Sequence, residues 1–199
     1  MKTSERFARP PTLLIAGMAA LSLTVAVAKP PLALANDAAQ RAAADVVNLE
    51  LTPSSAQLAE CMPDATLDVR VELTTDKAGF DRFQIRARNL PPNRDFTVFL
   101  LEQAGAPFGA AEYIGDFSTN ENGNGEKTFK LIVQEAFSST LVDGRRVRVD
   151  LNQVGVWFAD PADDDFCLGA NSPVTPFDGD NEAGVQAFNS ANADPLPTP

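Results

Sequence analysis

The chain of 199 residues has no histidine, only two cysteines, one tryptophan and one tyrosine. Because there is no imidazole, histidine-based catalysis, histidine zinc sites and histidine pH switches are all excluded. The two cysteines do not form a C-x-x-C pair, so nothing favours thiol–disulfide catalysis. Three possibilities remain: carboxylate chemistry, metals held by oxygen ligands, or a protein without catalytic chemistry.

Residues 1–35 have the pattern of a secretory signal peptide. Lys2, Arg6 and Arg9 form a positive start, an apolar run covers residues 12–28, and Ala-Leu-Ala at 33–35 precedes the expected cleavage site. The apolar run is short for a membrane span, which favours cleavage over anchoring. We therefore expect an extracellular or cell-envelope protein with no membrane span once the signal is removed.

The mature chain is strongly acidic. Removal of residues 1–35 takes away four basic residues and one acidic residue, which leaves 12 and 26 and a net charge of −14. Nucleic acids and anionic membranes both need a basic surface, so neither is expected as a partner. An excess of negative charge also has a purely structural interpretation, because like-charged molecules repel one another and stay in solution.

The two cysteines lie far apart, at Cys61 and Cys167. In an exported chain, two cysteines and no others predict one disulfide. We expect this Cys61–Cys167 bond to stabilise the fold and to have no redox role.

Most of the mature chain has the period-two pattern of β-strands. Apolar and polar residues alternate over 67–73 and again over 83–88, with a turn at 75–79 between them, which predicts a hairpin with oppositely charged outer positions. Pro91 and Pro92 then end a strand, and residues 95–102 are apolar on both faces, as in a central strand. Further strands are predicted at 113–119, 127–133, 146–151 and 154–158. The Asn- and Gly-rich stretch 120–125 predicts a hairpin turn.

Together these elements predict an all-β fold, an antiparallel β-sandwich of the immunoglobulin-like or jelly-roll-like kind with about seven to nine strands. We assign it to residues 48–188. Residues 36–47 are expected to form a leader or a short helix, and residues 189–199 a disordered tail, because three prolines and little apolar surface cannot build a core.

The best candidate metal ligands are Asp178, Asp180 and Glu182, which supply alternate carboxylates as calcium sites do. Counted from Asp178, however, the sixth and twelfth positions are Ala183 and Asn189, which do not match an EF-hand. A solvated acidic loop is therefore the alternative, and calcium is the one cofactor that we consider.

Two further features have both a structural and a functional interpretation. Trp157 and Tyr113 are the only side chains that can offer a flat sugar-binding platform, yet Trp157 stands in an apolar strand, which favours packing in the core. Pairs of carboxylates occur in every acidic chain, so a carboxylate-based glycoside hydrolase is the weaker alternative. We assign no catalytic residue.

Several stretches resemble uncharacterised secreted β-sandwich proteins of bacteria. The resemblance lies in Asn-Leu-Pro-Pro-Asn at 89–93, Gly-Asp-Phe-Ser-Thr-Asn at 115–120, Val-Trp-Phe at 156–158 and Thr-Pro-Phe-Asp-Gly at 175–179. It covers about residues 65–188 and implies export and an antiparallel sandwich, with no catalytic or ligand residues to transfer.

The sequence thus predicts a secreted, non-catalytic β-sandwich protein that acts as a binding or surface-interaction module for an extracellular protein or glycan. The alternatives are a calcium-stabilised structural or adhesive protein and, less favoured, the carboxylate-based hydrolase.

Overall fold

The computed structural model describes residues 45–176 and 182–198. Residues 1–44, which include the predicted signal peptide and most of the predicted leader, lie outside this part of the chain, as do residues 177–181 and Pro199. The strands are β1 (Val46–Pro53), β2 (Thr66–Glu72), β3 (Asp81–Arg88), β4 (Asp95–Leu101), β5 (Ala111–Ser118), β6 (Gly125–Leu131), β7 (Phe137–Val142), β8 (Arg145–Asp150), β9 (Gln153–Phe158), β10 (Thr175–Pro176), β11 (Glu182–Ala183) and β12 (Gln186–Asn189). The short helices are α1 (Ala56–Cys61), α2 (Thr75–Ala78) and α3 (Asp165–Leu168), and single 3₁₀ turns form at Val133–Glu135 and Pro161–Asp164.

Eight strands are hydrogen-bonded in the order β5-β4-β9-β12-β1-β2-β3-β6, and every pairing is antiparallel. Strand β1 joins the two halves, since residues 46–51 pair with β2 whereas Thr52 and Pro53 pair with β12. Strands β7 and β8 form a separate pair, as do β10 and β11. The expected all-β, antiparallel fold is confirmed.

The larger of two buried hydrophobic clusters among the described residues lies between the two halves. Val69 and Ile85 enter it from the β1-β2-β3-β6 half, and Val98, Val156 and Phe188 enter it from the other half. Each of these side chains is at most 1 % exposed. The alternation read from the sequence therefore marks the inner faces of a two-layer packing.

The predicted hairpin at residues 67–88 is confirmed as β2–β3. Its register places Asp68 opposite Arg86 and Glu72 opposite Arg82, so the outer positions have opposite charges. The connection between the two strands contains the single helical turn α2 and ends at Gly79, whose φ of 76° is in the left-handed region.

The hairpin predicted at residues 120–125 is wrong in its pairing. A tight turn does form, because the Asn120 side chain accepts hydrogen bonds from the amides of Asn122 and Asn124. The flanking strands do not pair with each other, however: β5 pairs with β4, and β6 pairs with β3. The turn instead connects one half of the sandwich to the other. Asn and Gly residues favour a reversal of the chain, but they do not determine which strands the flanking segments pair with.

The tail predicted to be disordered is instead packed on the fold in the residues described, which run to 198. Ser190 and Leu196 are 1 % and 2 % exposed, and the Leu196 amide donates to the carbonyl of Asn152 at 2.8 Å. Burial of Leu196 in the core therefore holds a segment whose composition is otherwise typical of disorder. At the other end, β1 begins at Val46, within the predicted leader.

The predicted disulfide is present between Cys61, the last residue of α1, and Cys167 in α3, with a Cα–Cα distance of 5.6 Å. It joins segments 106 residues apart in sequence. None of the helices within residues 45–176 and 182–198 has the length and apolar character needed to cross a membrane.

Candidate interaction surface

The feature that stands out from the sandwich is the β7–β8 hairpin, residues 137–150, which we call the arm. Its two strands pair from Phe137 opposite Asp150 to Val142 opposite Arg145. Asp143 and Gly144 make the two-residue turn, with φ angles of 51° and 74°. Asp-Gly favours this turn because both central positions of a type I′ turn need a positive φ.

The root of the arm is anchored in the core, and the rest of it is solvated. Ala136 and Leu151, which flank the arm, are buried, and the Leu151 amide donates to the Ala136 carbonyl at 2.9 Å. From Ser139 to Arg148, every residue is exposed. Side chains on both faces of this two-stranded ribbon therefore meet water.

Large apolar side chains are concentrated on the arm. Among the described residues seven large hydrophobic side chains are exposed, and four of them lie here: Phe137, Leu141, Val142 and Val147, at 51 %, 65 %, 51 % and 42 %. Clustered exposed apolar residues are typical of interaction surfaces.

The arm also has a positive balance of charge on an acidic protein. Strand β8 contributes Arg145, Arg146 and Arg148, against Asp143 in the turn and Asp150 at the root. Arg148 lies over the Phe137 ring, 4.1 Å from its centroid, and donates to Asp150 at 2.7 Å. Cations and exposed apolar groups thus occur together on the arm of a chain whose overall net charge is −11.

The predicted calcium ligands are only partly covered by the structure. Asp178 and Asp180 lie outside the described residues, and Glu182 is an exposed residue of β11, opposite Pro176 of β10. In the part of the chain that is described, no three acidic, cysteine or histidine side chains converge to hold a metal ion.

The acidic residues upstream of Cys167 have structural contacts. Asp160 caps the 3₁₀ turn by accepting from the Ala162 amide at 2.8 Å. Asp164 is completely buried and accepts from the Ser172 hydroxyl and, at 2.8 Å, from the Val185 amide. These bonds hold the segment that precedes β12 against the 3₁₀ turn.

Asp163 is the carboxyl group in this region whose environment is perturbed. Burial raises the pKa of its carboxyl group, the nearby Arg94 opposes that rise, and the charge of Asp160 adds to it. Arg94 Nη1 lies 2.9 Å from the Asp163 carboxylate. A general acid needs a raised pKa, but this oxygen is already engaged by a guanidinium, which favours a structural ion pair.

The two candidate sugar platforms have different positions. Trp157 is 1 % exposed, and its ring is packed edge-on between Phe99 and Phe108 on the outer side of β4 and β9. The core role expected for Trp157 is confirmed, and the platform interpretation is wrong for it. Tyr113 is 55 % exposed, and its hydroxyl donates to Asp116 at 2.7 Å; this bond, burial and the Asp116 charge raise the pKa of the Tyr113 hydroxyl.

One open depression of about 510 Å³ lies beside the disulfide. Its less polar wall is formed by Cys61, Met62, Pro63 and Phe166, and its polar wall is formed by Asp64 and Asn89. The Asn89 amide donates to the Asp64 carbonyl at 2.9 Å, so its polar group is already used within the fold.

Strand β7, and therefore the arm, was not predicted from the sequence, although a strand at 146–151 was. Phe-Ser-Ser-Thr-Leu-Val has no clean apolar–polar alternation, because both of its faces are solvated. The Asp143-Gly144 pair between two β-prone runs was the signal that predicts this hairpin.

Comparison of the chain with protein-family models, with curated proteins and with solved structures finds no match.

Proposed function

We propose that this chain is an extracellular, non-catalytic binding module whose contact site is the arm. The observation that carries the proposal is the exposure of Phe137, Leu141, Val142 and Val147 on a ribbon that projects from the core. Burial of such side chains against a partner is the main favourable term in protein association.

Two features of the arm fit a binding role. Its root is fixed by buried Ala136 and Leu151, so the base of the arm is already held against the core before a partner binds. Its arginines are suited to the rim of an interface, since the guanidinium group binds acidic groups in a planar, two-pronged manner. Loops and hairpins held by a rigid sandwich are common carriers of recognition.

The test uses two valines that are almost equally exposed. Val142 on the arm is 51 % exposed and Val174, outside the arm, is 45 % exposed. The oxidised chain and its Val142→Ser and Val174→Ser variants are labelled and titrated against a glycan array, cell-envelope fragments of the producing organism and the immobilised chain itself.

We expect saturable binding to at least one of these three probes. Val142→Ser should weaken it about tenfold, the effect of withdrawing one valine side chain from an apolar contact. Val174→Ser should leave it unchanged. The proposal is overturned if none of the three probes binds saturably, or if both substitutions weaken binding equally while the melting temperatures stay the same.

A further inference from the structure

The arm is an incomplete sheet. Among the residues that the structure describes, no third strand pairs with β7 or β8. An isolated two-stranded ribbon with two wet faces is marginally stable in water, and a further strand is the usual way to complete it. The free edges of β7 and β8 are therefore both places where a strand can add.

The two edges differ in charge. Strand β8 reads Arg-Arg-Val-Arg-Val-Asp, and such charged residues protect an edge against pairing. Strand β7 reads Phe-Ser-Ser-Thr-Leu-Val and has no charged residue. Strand addition is consequently favoured at β7.

The turn determines which backbone groups of β7 are available. In a hairpin with a two-residue loop, Val142 and Arg145 form a hydrogen-bonded pair, and the bonded pairs then alternate along the ladder. The amide and carbonyl groups of Phe137, Ser139 and Leu141 are thus directed away from β8. These three residues present the donors and acceptors of the free edge.

Resting on the proposed role of the arm, we infer that the partner at this edge is a second copy of the chain, paired antiparallel through β7. A twofold axis at Ser139 opposite Ser139 of the second copy makes all three outward residues into hydrogen-bonded pairs. In that register Phe137 of each copy lies opposite Leu141 of the other.

The side chains fit the same register. Phe137 and Leu141, which are 51 % and 65 % exposed, become two aromatic–aliphatic cross-strand contacts. On the other face Ser138 lies opposite Thr140, a hydroxyl pair of the kind that stabilises strand pairing. One register thus satisfies the free backbone groups and covers apolar surface at the same time.

Charge repulsion is small in this arrangement. The two β8 strands are separated by three strand spacings, about 14 Å, which exceeds the screening length of about 8 Å at physiological ionic strength. Pairing through β8 would instead place arginines of the two copies next to each other.

The first experiment is a position-specific crosslink in the oxidised full chain. Cys61 and Cys167 are joined to each other, so Ser139→Cys introduces the one thiol among the described residues. Paired Ser139 positions have Cα atoms about 5.5 Å apart, within disulfide range. The control Val142→Cys is an exposed thiol at the tip, about 20 Å from its own copy in this register.

We expect Ser139→Cys to form a covalent dimer under mild oxidation and Val142→Cys to stay largely monomeric. Equal crosslinking of the two thiols would mean random collision and would overturn the inference. So would the absence of crosslinked Ser139→Cys chains.

A second experiment blocks one edge at a time. Ser139→Pro removes an outward amide of β7, and Arg146→Pro removes an outward amide of β8, so neither proline breaks the hairpin's own ladder. Both variants also lose the hydrogen bond from Arg146 Nη1 to Ser139 Oγ, which is 3.1 Å long. They therefore differ in the edge that they block and in the positive charge that Arg146→Pro alone removes.

Sedimentation equilibrium of the wild type, up to about 1 mM, should show twice the monomer mass. Ser139→Pro should be monomeric and Arg146→Pro should be dimeric. A monomeric wild type, or equal loss in both proline variants, overturns the inference. If the wild type is monomeric but arm-dependent binding to glycans or envelope fragments persists, the proposed function stands with another partner, such as an extended acidic peptide.

Discussion

Asp81 is a buried carboxylate on which three segments of the fold converge. It is 1 % exposed at the start of β3. One oxygen accepts from the amides of Thr74 and Thr75 at 2.7 and 2.9 Å and from the Thr75 hydroxyl at 2.7 Å. The other accepts from the buried Val133 amide at 3.0 Å. The side chain thus fixes both the turn containing α2 and the 3₁₀ turn that leads into the arm.

Two substitutions separate the contributions of these bonds. Asp81→Asn keeps the oxygen that serves Thr74 and Thr75 but places an amide NH₂ against the Val133 amide, so one buried donor is left without an acceptor. That should lower the free energy of unfolding by about 2 kcal/mol. Asp81→Ala also removes the remaining acceptor, and we expect a loss of about 4 kcal/mol.

Urea unfolding followed by the fluorescence of Trp157, the one tryptophan and a buried one, measures both losses. Asp76→Asn, an exposed position of the same helical turn, is the control and should change stability by less than about 0.5 kcal/mol. The reasoning is refuted if Asp81→Asn falls within that range. It is also refuted if Asp81→Asn and Asp81→Ala are equally destabilising, because the retained acceptor would then contribute nothing.

Three further predictions concern stability. Burial raises the pKa of the Asp163 carboxyl group above its ordinary value of 3.8, so the folded chain binds the carboxyl proton more tightly than the unfolded chain does. This stabilises the fold at pH values below 3.8, and the stabilisation is lost as the pH rises through the raised pKa. The unfolding free energy of the wild type relative to Asp163→Asn should therefore fall across that range in urea titrations, and a flat or rising difference contradicts the assignment. Replacement of Cys61 and Cys167 by alanine removes a disulfide that closes a loop of 106 residues, and it should lower the free energy of unfolding by about 4–5 kcal/mol. A loss below about 1 kcal/mol in urea unfolding would show that the disulfide does not constrain the unfolded chain. Gly123 and Gly79 both have a positive φ, but only at Gly123 would an added Cβ collide with the Leu90 carbonyl. Gly123→Ala should therefore lower the melting temperature more than Gly79→Ala does. Equal decreases would contradict this prediction.

Local pattern was enough to predict the interior of the sandwich. Period-two alternation over residues 67–88 identified β2 and β3 and the side chains that they bury, because alternation reports directly which face of a strand meets water. The doubly apolar run at 95–102 likewise identified β4, which lies between β5 and β9. Trp157 and the Cys61–Cys167 bond follow from the same kind of local or compositional reasoning.

The candidate site was only half predictable. Strand β8 was expected at 146–151, but its partner β7 was not, since a ribbon exposed on both faces leaves no alternation to read. Leu141 and Val147 have side chains of the type that is usually buried, so their exposure could not be predicted from residue type. They are exposed because the arm lies outside the core.

The sequence by itself determined that the described chain is an antiparallel β protein closed by one disulfide, because hydrophobic period, turn residues and cysteine number act over a few residues or by composition alone. Tertiary structure decided that the turn at 120–125 crosses between the two halves, that Leu196 pins the tail, and that the arm projects with its apolar residues exposed. These outcomes depend on which distant segments compete for the same edge or cavity. No local pattern encodes that competition, since it is resolved only when the whole core packs.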